Sequence, residues 1–350
     1  MSSVVFLFGN GLSIGVAPEF AVPAMTERLN SRLEPSMREA LVELRQLSTP
    51  DLVVPAESQL GFEQLAGPLD RVANAVQVLA PIARRADRED CLHQSHLYLR
   101  QRYLSIVGLI LDDLASSARL GQTEGWSALN ELGQALGRLH REHSTALFTL
   151  SYDTLLDSAL IESYGGWFYD GFAGPGLLLN QPLDCWAGTM PLYHLHGSVL
   201  WYEDPIAGVR KVPSDSDLHR AQLEQWRTGE DQLGFPVVVL TDAKVPAVAR
   251  HPFDLFYQEL WNELGQARVL VIAGYAFGDE PVNRIVKSWL SAPTAFQRVL
   301  EVWSQSAERA RARFEERIGD VGATRAGPQT NFRSVSLPSP SAVAELHQRL

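Results

Sequence analysis

Five consecutive apolar residues, Val4-Val5-Phe6-Leu7-Phe8, open the readable pattern of the chain. A run this short, rich in β-branched and aromatic side chains, predicts a strand covered on both faces. It passes directly into Gly9-Asn10-Gly11-Leu12-Ser13-Ile14-Gly15, the way a nucleotide-binding α/β sheet often begins. Between residues 25 and 143 the period changes to a helical one. Leu69, Val72, Val76 and Leu79 form one stripe behind Pro68. Tyr103, Val107, Ile110 and Leu114 form a second, and Leu129, Leu132, Leu136 and Leu139 a third. Short apolar runs return at 146–150, 192–195, 237–240, 269–273 and 299–303. This alternation predicts an α/β fold: a mainly parallel sheet with helices on its faces, interrupted after its first strand by a large helical insertion. The expected sheet domain is 1–24 with 144–305, the insertion 25–143, and a C-terminal helical extension 306–350. Residues 202–234 read as a hairpin plus a surface helix, 306–318 as a charged helix, and 342–350 as a last helix behind Leu337-Pro338-Ser339-Pro340.

Composition narrows the classes. With 350 residues and 45% hydrophobic residues, the chain buries a large core and is not broadly disordered. Cys91 and Cys185 stand alone, too few for a disulfide framework or a four-cysteine zinc ribbon. A net charge of −11 argues against a nucleic-acid reader, which needs a basic surface, but leaves room for a local anion pocket. No basic segment precedes the first apolar run. The later apolar stretches 103–111 and 269–277 reach about half of the ~18 residues a membrane span needs. A soluble, cytoplasmic protein with no membrane partner is the expectation.

Four motifs follow predicted strands, where open α/β sheets bind ligands. Gly9-Asn10-Gly11-Leu12-Ser13 allows a phosphate to approach the backbone and accept from its N–H groups, or serves as a plain turn in which Asn10 tolerates positive φ. In Ser151-Tyr152-Asp153, small polar groups either meet a ligand or cap the following helix. In His194-Leu195-His196-Gly197-Ser198, two histidines at i and i+2 point to one strand face. A zinc pair is conceivable, but no carboxylate or cysteine partner is evident. His196, at the strand end, is the better general-base candidate. In Gly274-Tyr275-Ala276-Phe277-Gly278-Asp279, Gly274 admits a ligand, and Asp279 either accepts from ribose hydroxyls or caps a helix.

Taken in order, these four motifs resemble the bacterial SIR2-like family, in its branch with a helical insertion and no zinc ribbon. Gly15-Val16-Ala17-Pro18-Glu19-Phe20, Phe62-Glu63 and Asp170-Gly171-Phe172 also look typical, so that the resemblance spans about residues 4–290. It implies a Rossmann-type sheet binding NAD+ as substrate, without a metal, and hydrolysis to nicotinamide and ADP-ribose that depletes NAD+ during phage infection. It further implies assembly into a homo-oligomer or gating by a defence partner, with the helical insertion as the natural place for contacts. By motif, His196 is the catalytic histidine. Gly9, Asn10, Gly11 and Ser13 face the diphosphate and nearby ribose, and Asp153, Gly274, Tyr275 and Asp279 line the nucleotide side. The chain departs from the pattern at Ser151, where the family carries a catalytic Asn with a longer, two-function side chain. That departure keeps open a weak or inactive module that binds NAD or ADP-ribose as a sensor or scaffold. A dinucleotide or nucleotide-sugar enzyme of another class is the third reading.

Overall fold

The computed structural model describes residues 3–48, 61–84, 89–164, 168–173, 178–179, 189–241, 244–293, 295–319 and 328–350. The fold is α/β and Rossmann-like, built on a seven-stranded sheet. Its strands are β1 (Val4–Phe8), β2 (Thr145–Thr149), β3 (Phe168–Tyr169), β4 (Met190–His194), β5 (Val269–Ala273), β6 (Val299–Ser304) and β7 (Gln329–Ser334). They lie in the order β7-β6-β5-β1-β2-β4-β3, and each adjacent pair is parallel. All five residues of β1, β2, β4 and β5 are buried, as continuous apolar runs require in a sheet covered on both faces.

By contact the chain divides into two compact units. The first comprises residues 1–20, 117–198 and 244–350, and the second residues 21–116 and 199–243. These bounds differ from the expected domains in three ways. Residues 117–143, expected in the insertion, belong with the sheet. There the helix Trp126–Glu142 packs against the helices Leu155–Tyr164 and Pro340–Arg349. Its predicted stripe of Leu129, Leu132, Leu136 and Leu139 is fully buried. The segment 306–350, expected to be helical, carries β7 between its two helices. β7 is an edge strand of half-buried, mixed polar residues, so no apolar run announces it. Finally, the run at 237–240 forms no strand of the main sheet. The strand there is Phe235–Val238, beside the hairpin Gly197–Asp204/Gly208–Lys211.

The second unit is mostly helical, with Val22–Arg32, Pro35–Ser48, Phe62–Arg84 and the larger part of Glu89–Glu124. Val107, Ile110 and Leu114 are buried as the second stripe predicts, whereas Leu79 at the end of the first stripe is 47% exposed. Arg28 makes a forked ion pair with Asp113, at 2.8 and 2.7 Å. The hairpin and the helix Asp217–Thr228 expected between residues 202 and 234 are both present.

The strand order reverses at β1. The chain fills one side with β2, β4 and β3, then crosses back to place β5 on the other, so the switch point lies between β1 and β5. At that point two turns interlock. Gly11 donates its N–H to the Gly274 carbonyl at 2.9 Å. A Cβ on Gly9 would lie 2.5 Å from the Gly274 oxygen, and one on Gly274, at φ +66°, would lie 2.8 Å from Gly11 backbone atoms. Gly274→Ala therefore combines a left-handed backbone with overpacking, and should cost about 2–5 kcal/mol. Gly265→Ala, which meets nothing within 4 Å at an exposed position of the helix Phe253–Gln266, should be neutral or stabilising by up to about 1 kcal/mol. Urea unfolding of the two variants measures both effects.

Candidate functional site

One register line positions the site. Phe8 pairs with Thr149 and Thr149 with His194, while Phe8 also pairs with Ala273. All four strands thus end at the same level, and each motif begins in the next residue or two. This brings Gly9–Ser13, Ser151–Asp153, His196 and Gly274–Asp279 to one carboxyl edge, all within the sheet unit.

Gly9 to Ser13 turns inward more than expected. The N–H groups of Gly9, Gly11 and Leu12 donate to Ala273, Gly274 and Gly9 carbonyls, so they serve the interlocked turns. Asn10 donates from Nδ2 to the Phe20 carbonyl at 2.8 Å and pins the 15–20 loop. In this loop Ser13 is the residue whose side chain enters the polar cluster.

The 274–279 segment is likewise a built loop. Tyr275 Oη accepts from the Asp279 N–H at 2.8 Å and lies 3.0 Å from both the Asp279 carbonyl and Asn283 Oδ1. Burial, with the Asp279 charge adding to it, pushes its phenol well above the usual range. Asn283 Nδ2 holds the Phe277 carbonyl at 2.9 Å, fastening a residue with φ +58°. Tyr275 and Asn283 therefore act as struts, and what they deliver is Asp279.

Asp279 does two jobs. Its Oδ1 accepts from the Val282 N–H at 2.9 Å, capping the helix Glu280–Leu290. Its Oδ2 lies 2.8 Å from His196 Nε2, both side chains being nearly inaccessible. Burial alone would raise this carboxyl. The hydrogen bond and charge of His196, the charge of Lys244 at 3.8 Å and the Val282 N–H outweigh it and hold Asp279 at about 2. An ionised carboxylate only accepts, so Nε2 carries the proton. Nδ1 makes no hydrogen bond among the described residues. Tyr257 Oη completes the group, 3.3 Å from Nε2 and 3.4 Å from Asp279 Oδ1, and the Tyr152 ring stacks obliquely at 5.9 Å from the His196 ring. The arrangement is a carboxylate-oriented imidazole suited to general-base chemistry.

A second cluster forms at the same carboxyl edge. Ser13 Oγ donates to Asp153 Oδ2 at 2.6 Å, and Ser151 Oγ lies 3.1 Å from Ser13 Oγ. Asp153 also accepts from the Leu155 N–H at 3.0 Å, so the helix-start reading of this residue holds together with its place in the cluster. Burial raises its carboxyl above the ordinary value, against the hydrogen bonds from Ser13 and Leu155. His194 does not share a site with His196. Its Nε2 meets Asp157 at 2.8 Å and its Nδ1 faces the Ser151 carbonyl at 3.3 Å, so it secures the helix Leu155–Tyr164 behind the edge.

Sequence reading missed Tyr257 and Lys244, which sit on the helices Phe253–Gln266 and Lys244–Val248. Neither belongs to a strand-end motif. The one available signal was a tyrosine and a lysine ahead of the β5 motif. No protein-family model matches the chain, and no curated protein matches it in sequence. Among the described residues no helix is long and apolar enough to cross a membrane.

The two acids make opposite demands on pH. Asp279, depressed to about 2 from 3.8, supports the fold above pH ~4 and loses that support as pH falls toward 2, an effect of up to about 2 kcal/mol. Asp153, raised by burial, favours the fold when protonated and loses that favour as pH rises past its ordinary value. Denaturant midpoints measured from pH 5 down to 2 should flatten in Asp279→Asn and keep their acid limb in Asp153→Asn.

Proposed function

We propose that the protein is a SIR2-like NAD+ hydrolase that releases nicotinamide and ADP-ribose. The observation that carries this reading is the His196–Asp279 contact of 2.8 Å at the carboxyl edge, beside the switch point of a Rossmann-like sheet. The motif resemblance supplies the substrate class.

In this reaction the bond from ribose C1′ to the nicotinamide nitrogen breaks, and its electron pair leaves with nicotinamide. The ring nitrogen is cationic beforehand, so no general acid is required. Positive charge develops on the ribose, as in glycoside chemistry. Water adds to C1′ and gives up a proton. His196 Nδ1 is the acceptor for it, directly or through a ribose hydroxyl. Asp279 stays ionised, holds the ring in the tautomer that leaves Nδ1 free, and stabilises the imidazolium that forms. Tyr257 and Lys244 steady the carboxylate. Ser13 and Ser151 offer hydroxyls to the ribose or to the attacking water. The resemblance extends the proposal to an antiphage effector that depletes NAD+, gated by self-assembly or by a defence partner.

One observation favours a weaker activity. Ser151 stands where the family has Asn, and its hydroxyl is tied to Ser13 at 3.1 Å in a buried setting. Under that second reading the protein binds NAD or ADP-ribose as a sensor or scaffold.

Incubation with NAD+ and measurement of free nicotinamide tests both. Loss of a positioned base should lower the rate in His196→Ala by about 10²–10⁴-fold while NAD+ binding persists. Tyr257→Phe, which removes a longer contact, should lower it less. A rate unchanged in His196→Ala sinks the hydrolase mechanism. A silent wild type that gains activity as Ser151→Asn establishes the binding module instead.

A further inference from the structure

Away from the sheet edge, three metal-ligating side chains converge. Glu142 ends the helix Trp126–Glu142, His143 follows as its C-cap, and His347 lies on the final helix Pro340–Arg349. One ligand atom from each lies within 4.8 Å of the other two. His347 Nε2 is 3.0 Å from Glu142 Oε2. The two imidazoles meet edge to face, with centroids 5.6 Å apart and planes at 90°. An ion pair accounts for the Glu142–His347 contact, but it leaves His143 unexplained: Nδ1 of His143 is buried with no hydrogen-bond partner. A buried ring nitrogen in that state calls for a partner, and a cation is one that these three side chains can share.

We propose that Glu142, His143 and His347 bind a divalent transition cation of the zinc type. Two imidazole nitrogens and one carboxylate oxygen make a donor set that zinc completes with a water. The set has too few oxygens for calcium or magnesium and no sulfur for a soft ion such as copper(I). Glu142 is exposed and the histidines are half-buried, so the cation enters without opening the fold. Its role is to clip the last helix to the helix Trp126–Glu142. The last helix also carries Arg349, whose guanidinium meets the wholly buried Glu301 of β6 at 2.8 Å. Fastening the helix thus secures the counter-charge of a carboxylate inside the sheet.

The test uses the untagged full chain in a Cys91→Ser, Cys185→Ser background, so that thiolates do not compete. After treatment with a chelator and its removal, the protein is titrated with Co2+ and then with Zn2+. One equivalent of Co2+ should give the visible absorption of a four-coordinate site, and Zn2+ should displace it. The thermal midpoint should rise with Zn2+ concentration, as for any ligand of the folded state. His347→Gln at a half-buried position and Glu142→Gln at an exposed one should fold as wild type by circular dichroism. His347→Gln and His143→Gln should each weaken binding by more than about a hundredfold, beyond the loss typical of an outer hydrogen-bond partner. Absence of a saturable Co2+ spectrum overturns the proposal. So does a spectrum that survives in both His143→Gln and His347→Gln.

Discussion

The hydrogen bond from the Gly11 N–H to the Gly274 carbonyl, 2.9 Å long, governs the rest of the site. It exists because neither residue has a Cβ: either one would press to within 2.8 Å of the opposing backbone. Glycine costs conformational entropy on folding, and the structure recovers this by letting two turns lock across the switch point. From that lock Ser13 is carried toward Asp153, and Asp279 toward His196. The glycines therefore act first on the protein's own backbone. Their part in admitting a phosphate is a second use of the same missing side chains.

Around that lock the electrostatics separate two carboxyl groups that lie close to one sheet edge. Asp279 is buried, but His196, Lys244 and a helix N–H surround it, and charge wins over desolvation. Asp153 is also buried, and the Ser13 hydroxyl and Leu155 N–H that it accepts from do not offset that, so desolvation wins. One acid is a fixed anion that orients an imidazole. The other accepts from Ser13, whose hydroxyl in turn meets that of Ser151. Burial and pairing thus push two acids of one edge in opposite directions.

Much of the fold was legible in advance because a parallel sheet buries both faces. β1 and β5 are unbroken apolar runs, and their limits follow directly from the sequence. The stripe 129–139 was also plain, and its side chains are buried as expected. What failed to show were the elements with weak patterns. β7 is polar at every position but Phe332, lies at a sheet edge and resembles a loop. The run at 237–240 has the composition of a core strand, yet it pairs outside the main sheet. A hydrophobic run reveals burial, and it does not reveal which sheet buries it.

The sequence by itself determined the α/β class, five of the main-sheet strands and the four strand-end motifs, with His196 and Asp279 among the candidates. These are local properties, set by side-chain type, spacing and the conformational range of glycine. Only the tertiary structure decided which candidates meet. His196 and Asp279 are 83 positions apart and meet at 2.8 Å, while His194, two residues from His196, turns to Asp157 instead. Tyr257 and Lys244 join the dyad from helices that carry no motif. The reason is geometric: strand register brings distant chain ends to one level, and no pattern along the chain encodes that alignment.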